Sequence, residues 1–225
     1  MNGDDEMAQR ARIPRGTLNR EAIVTAAVEV LADGGLDALT MRAVADALGT
    51  RSMSLYTYFS GKEQLLTAAE EHLIAMLDLP EPGSGGVEAL REIFRAYWRM
   101  LVAHPWLVRR DHSREETSPG DLRLAETIYS IVGRLGIPER TAVGLVATTF
   151  RFTLGCATLY PGRRAWDDPR HWERLRTELG KLPRDDYPSL HLFSTELSDY
   201  TQDEVFEFGL NELMNRFRAA AEHSS

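Results

Sequence analysis

Apolar residues recur at three- and four-residue intervals along most of this chain, and no segment alternates with the two-residue period of a strand. The pattern predicts a helix over about Arg20–Asp33, capped by Asn19, with Ile23, Ala27, Val30 and Leu31 on its inner face and Gly34-Gly35 at its end. A second helix starts with Thr40 as N-cap and buries Val44, Ala45 and Leu48 before Gly49. A short third covers about Ser52–Tyr58. A fourth is expected to open on a Ser60-x-x-Glu63 capping box and to run through Leu65, Leu66, Ala69, Leu73 and Met76.

The run Pro80–Gly86 then reads as a linker. Beyond it helices are predicted at about 87–103, 105–111, 119–136 and 139–160, with prolines near their starts, where proline is tolerated. Residues 161–200 are less regular, with a candidate helix near 169–180, and a last helix covers about 201–221. The fold class is therefore all-α. The expected division is an arm at residues 1–16, a small helical domain at 17–65 and a larger helical domain at 66–225.

Residues 40–59 carry the most specific spacing. A helix-turn-helix needs a small residue where its helices cross, a residue at the turn that tolerates unusual dihedrals, and apolar residues locking the pair. Ala45, Gly49 and Leu55 meet those needs, with Val44 and Leu48 completing the inner face. Taken alone, the same features also suit an ordinary helical hairpin with a glycine turn.

Charge and cysteine content narrow the chemistry. The net charge of −8 argues against a protein that coats nucleic acid indiscriminately. Arg10, Arg12, Arg15 and Arg20 nevertheless place four positive charges in eleven residues with no acid among them, so a phosphate-facing surface is expected to be local and N-terminal. The single Cys156 excludes an internal disulfide and a multi-cysteine zinc site, and fits a cytoplasmic setting. The N-terminal residues have acids where a signal peptide needs bases. The apolar stretch 141–160 contains Arg151 and is read as a buried helix rather than a membrane span. The histidines show no pairing at metal-ligand spacing, and there is no glycine-rich phosphate loop, no Gly-x-Ser-x-Gly and no nucleophile set beside a base. No metal, cofactor or enzymatic activity is expected.

The segment from Leu36 to Leu66 resembles the DNA-binding segment of the tetracycline-repressor family, with Leu55, Tyr56, Tyr58, Phe59 and Lys62 in the family's places. The resemblance implies a three-helix DNA-binding domain. It places Thr40 against a phosphate, and Tyr56, Tyr58 and Lys62 as backbone clamps. It puts Met41, Arg42, Arg51, Ser52, Met53, Ser54 and Thr57 where base-facing residues occur, Arg42 and Arg51 being the candidates for guanine. Phe59 is expected in the core. The family often has Ser-Pro where this chain has Arg51-Ser52, which leaves the operator sequence open.

Residues 151–160 and 203–217 resemble the two core helices of the family's regulatory domain, which pair with their symmetry mates in a four-helix dimer interface. The residue pattern agrees. Val205, Phe206, Phe208, Leu210, Leu213, Met214 and Phe217 spread around too much of one helix for a single-sided contact. Thr148, Phe152, Gly155, Phe206, Leu210, Leu213 and Phe217 are the expected interface, and the homodimer an expected partner state. Trp98, His104, Trp106, Tyr129, Phe150, Trp166 and Trp172 are candidates to line a pocket for a small organic effector, though any one of them also suits plain core. Leu159 stands where the tetracycline repressor has a glutamate that helps hold its drug-bound metal, so a metal-free effector is expected. Together these readings describe a ligand-responsive regulator of transcription, in the first place a repressor released from an inverted-repeat operator, with an activator or ligand-independent regulator of the same build as the alternative.

Overall fold

The computed structural model describes residues 18–81, 84–110, 118–159, 169–197 and 201–223, with backbone alone at 169, 171, 172 and 195–197. Every regular element among them is a helix. They are α1 (Arg20–Ala38), α2 (Met41–Ala47), α3 (Ser52–Leu55), α4 (Lys62–Ala75), α5 (Gly86–Ala103), α6 (Trp106–Arg109), α7 (Pro119–Arg134), α8 (Glu139–Leu159), α9 (Pro169–Gly180), α10 (Pro188–Leu197) and α11 (Gln202–Glu222). The expected arm, residues 1–16, lies outside the described residues.

The local signals for helix starts are met in most places. Asn19 Oδ1 accepts from Ala22 N at 2.8 Å, and Thr40 Oγ1 accepts from Ala43 N at 3.0 Å. Helix α1 loses helical geometry at Gly35. The capping box expected at Ser60 is not formed. The N-cap of α4 is Gly61, and it is Gln64 Oε1, rather than Glu63, that accepts from Ser60 N at 2.7 Å. A true capping box opens α11, where Thr201 Oγ1 accepts from Glu204 N and Glu204 Oε2 accepts from Thr201 N. Helix α10 was not anticipated by the residue pattern.

The described chain forms two compact units whose division does not follow chain order. One comprises residues up to Leu77 together with Arg109–Leu124, and the other Asp78–Val108 with Ala125 onward. Helix α4 runs through residues 65–66 without a break.

In the first unit α1 packs on α2 and α4, and α2 packs on α3. Ile23, Ala27, Leu31, Leu39, Val44, Ala45, Leu55, Phe59, Leu65 and Ala69 are all but fully buried there. The returning segment is pinned to α4 by Arg110, which pairs with Glu70 and donates to Thr67 Oγ1 at 2.9 Å.

In the second unit α5, α8 and α11 pack on one another, and α9 packs on α10. The core stack is aromatic. The rings of Trp98 and Phe206 lie parallel with centroids 4.3 Å apart, and Phe152 stacks on the other side of Phe206 at 5.9 Å. Gly209 allows this approach, because a Cβ at that position would run into the Phe152 ring. Helix α8 is long and apolar enough to cross a membrane by length and composition, but here it is a packing partner of α5 and α11. Only part of it is buried in the protomer, which departs from the buried helix expected.

Candidate DNA-binding surface and effector region

Helices α2 and α3 are locked by their inner faces. Met41, Val44, Ala45 and Leu48 follow the i, i+3, i+4, i+7 spacing of one helix face, and all four are buried. Gly49 turns the chain at φ 62°, a left-handed value that favours glycine, and Thr50 N donates to Ala45 O at 2.9 Å. Leu55, fully buried, then anchors α3.

That locking sets what is left outside. Thr40, Arg42, Arg51, Met53, Tyr56 and Thr57 are exposed, while Ser52 and Ser54 are half-buried. Arg42 is 87% exposed and pairs with Asp46 at 3.7 Å, an exposed contact that a stronger anion displaces at little cost. Met41 is a correction. It is 8% exposed and belongs to the core face, which removes it from the base-facing set.

Two expected backbone clamps have partners within the protein. Lys62 Nζ donates to Leu36 O at 2.7 Å, which leaves an ammonium two further donors. Tyr58 donates its one hydroxyl proton to Leu18 O at 2.8 Å. That proton is then not available to a phosphate, so of the two tyrosines it is the exposed Tyr56 that remains free to donate. Phe59 is buried as expected, and the Arg20 guanidinium lies 4.2 Å over its ring. Arg20 also donates to Tyr58 O at 3.0 Å. The residue pattern did not single out this role for Arg20, because its partners are 38 and 39 positions away.

The proposed effector residues that are described stand in different surroundings. Trp98 belongs to the stack on Phe206, and Phe150 meets the rings of Phe94 and Tyr97 edge-on at 5.0 and 5.5 Å. Trp98 is buried in the core of the protomer while Phe150 is half-buried, and Phe94 and Tyr97 are neighbours that sequence reasoning missed. Tyr129 is exposed on α7. His104 caps the end of α5, its N–H donating to Met100 O at 2.9 Å, and burial pulls its ring pKa below the ordinary histidine value. Trp106 is buried. His104 Nδ1 and Trp106 Nε1 are buried with no hydrogen-bond partner, two residues apart at the α5–α6 corner. Trp166 lies outside the described residues, as does the side chain of Trp172.

The expected dimer residues divide in two. Phe206, Leu210 and Phe217 are fully buried inside the protomer against α5 and α8, so they are corrected to core. Thr148 and Gly155 are exposed on α8, while Phe152 and Leu213 are half-buried. The residues that leave an apolar surface on these two helices are Val143 and Leu159 on α8, with Val205 and Phe208 on α11; Phe208 is 61% exposed.

Comparison with known proteins places this geometry. Residues 23–69 match the profile of bacterial regulatory proteins of the tetR family, and residues 79–218 match that of the tetracyclin repressor-like C-terminal domain. The chain is 29% identical over 214 residues to the HTH-type transcriptional repressor DrrR1 of Streptomyces coeruleorubidus, covering 91% of this chain and 79% of that one. It is 39% identical over 169 residues to the class C tetracycline repressor protein of Escherichia coli, covering 74% and 77%. Among solved structures, ActR of Streptomyces coelicolor in complex with actinorhodin superposes with a TM-score of 0.80 at 25% identity, covering 93% of this chain and 100% of that one. The same protein in complex with (S)-DNPA gives 0.75 at 27% identity, covering 90% and 98%.

Proposed function

This chain belongs to the tetR family of bacterial regulatory proteins, and from that footing we propose that it is a repressor that binds an inverted-repeat operator as a homodimer and leaves it when a small organic effector binds. It is a DNA-binding transcriptional regulator, as its relatives are. The observation that carries the finer reading is the exposed set on α2 and α3. Arg42 and Arg51 offer forked donors to base edges, and Ser52, Met53, Ser54 and Thr57 line the same short helix and its flanks. Thr40, Tyr56 and the spare donors of Lys62 are assigned to phosphates.

The homodimer reading is supported by α8. Its small residues Gly144, Thr148 and Gly155 are exposed beside Val143 and Leu159, and α11 adds Val205 and Phe208. A mostly apolar helix left open on this side gains by covering it with a second copy. A two-fold dimer carries two recognition helices, which calls for half-sites about one helical turn apart or slightly more.

The effector reading is supported by ActR, which binds actinorhodin and (S)-DNPA. The Leu159 side chain, unlike a carboxylate, offers no oxygen to a divalent cation that prefers an octahedron of them, so the effector is assigned a metal-free mode. An effector releases DNA only through its differential affinity for two arrangements of the protein. The test is gel-shift binding to the DNA flanking the protein's own gene, with actinorhodin and a panel of aromatic compounds as candidate effectors. Each is added with magnesium and with a chelator. Release in both conditions is expected. Release that required magnesium would overturn the metal-free reading, and no retarded band on any flanking fragment would count against self-regulation.

A further inference from the structure

Helix α3 is four residues long, and its N-cap Arg51 supplies no side-chain bond. So short a helix does not hold itself, and its orientation is set by what surrounds it. Leu55 and Phe59 anchor the segment from inside, both of them buried. Apolar burial is non-directional, however, and by itself leaves the segment free to roll on the core. Hydrogen bonds are directional, so those that reach the segment from elsewhere in the fold fix its angle.

The start of α1 supplies them. Tyr58 donates to Leu18 O at 2.8 Å, Arg20 Nη1 donates to Tyr58 O at 3.0 Å, and the Arg20 guanidinium lies 4.2 Å over the Phe59 ring. Tyr58 N and Phe59 N both donate to Leu55 O, so the two gripped residues continue the last turn of α3. The result is a clasp with one bond in each direction and a cation stacked beside them. The exposed Arg51, Met53, Tyr56 and Thr57 ride on the stretch that it holds.

The resemblance implies a phosphate for Tyr58, yet its one hydroxyl proton is already given to Leu18. Resting on the DNA-binding reading above, we propose that Tyr58 and Arg20 are positioning residues for base reading. Their clasp holds α3 at the angle at which its exposed side chains meet base edges, and Tyr58 acts through this clasp and not through a phosphate. The two roles differ in what they do to specificity. A phosphate contact strengthens binding to every sequence alike. A clasp that pre-sets the reading angle lowers the ordering cost where that angle is used, at a matched sequence. A duplex bound non-specifically is held by backbone charge and gains little from it.

The test uses the full chain. A duplex is enriched from a random pool by the unmodified protein, and its affinity is compared with that of a mixed-sequence duplex of the same length. The readout is the ratio of the two affinities, in which any uniform loss cancels. Tyr58→Phe and Arg20→Met open the clasp from its two sides. Each is expected to lower the ratio by about two- to tenfold, in keeping with the loss of one hydrogen bond. In the free proteins, amide exchange at residues 52–60 should be faster in both variants, while residues 23–31 of α1 exchange as before. Circular dichroism checks that both variants are folded at the temperature used. A Tyr58→Phe protein that bound both duplexes more weakly by the same factor would return Tyr58 to a phosphate and overturn the proposal. So would unchanged exchange at residues 52–60, or an unchanged ratio in either variant. If the unmodified protein enriched no duplex, the DNA-binding reading itself would fail, and the proposal with it.

Discussion

Arg95 and Glu207 meet in a two-pronged ion pair, Nε and Nη2 of the guanidinium each standing 2.7 Å from one carboxylate oxygen. The pair ties α5 to α11, and Glu92 takes up Nη1 of the same guanidinium at 2.5 Å. The Arg95 hydrogen bonds hold the Glu207 carboxyl below the ordinary glutamate range against the opposing effect of burial, and the charges of Arg95, Arg99 and Arg91 add to the shift. Glu207→Gln should destabilise the protein by about 1 kcal/mol, discounted for partial exposure. That corresponds to roughly 2–4 °C in melting temperature for a chain of this size. A depressed carboxylate contributes stability above its unfolded pKa and loses it as pH falls through its folded one. The gap between the two proteins should therefore be constant from neutrality down to the ordinary glutamate range, then close below it. Thermal melts across that range are the check, and a gap that widened in acid would contradict the assignment.

His104 adds a dependence at milder pH. Burial lowers its pKa, so the folded protein keeps the ring neutral where the unfolded chain already takes a proton. Stability is then lost as pH drops from the ordinary histidine value towards the depressed one. His104→Gln cannot take that proton, and its denaturation midpoint should be flatter with pH across this interval. Equal slopes for the two proteins would show that the ring titrates alike in both states.

The surface of α2 to α4 separates positioning from reading. Lys62→Ala should weaken binding to every sequence alike and make the salt slope shallower by about 0.9 per protomer. Arg51→Ala should instead relax discrimination at one base pair of each half-site by about 1–3 kcal/mol, seen in competition binding with substituted duplexes. Because Lys62 Nζ also ties down Leu36 O, a melting curve accompanies the alanine variant. Lys62→Ala with intact salt dependence would remove this residue from the phosphate surface.

Assembly is tested by two neighbouring phenylalanines. Phe208→Glu places a charge on the open side of α11 and is expected to give a folded monomer at micromolar concentration. Phe206→Asp buries an unpaired charge in the aromatic stack with Trp98 and Phe152, and should cost several kcal/mol, roughly 3–5, and the fold with it. Sedimentation velocity with circular dichroism separates the outcomes. A dimeric Phe208→Glu protein would move the interface elsewhere.

Much of this protein is decided by neighbours in sequence. The helices follow from apolar spacing. Asn19 and Thr40 cap α1 and α2 because their partners are three residues away, and Gly49 turns the chain because no side chain resists its positive φ. The helix-turn-helix was legible for the same reason: its locking residues, Val44, Ala45, Leu48 and Leu55, lie within twelve positions of one another. Met41 shares their spacing, and that period places it on the buried face. Other features depended on which elements meet. Residues 203–217 are apolar on more than one side, and the spacing alone does not say that Phe206, Leu210 and Phe217 face α5 and α8 while Val205 and Phe208 face outward. The same holds for Trp98 and Phe150, whose aromatic partners sit on other helices. Tyr58 is bound to Leu18, forty residues back, and Arg95 to Glu207, more than a hundred residues on. Contacts of that span form only when packing has already met the entropy of closing the chain between them, so their physical cause lies in the assembled core and not in any window of sequence.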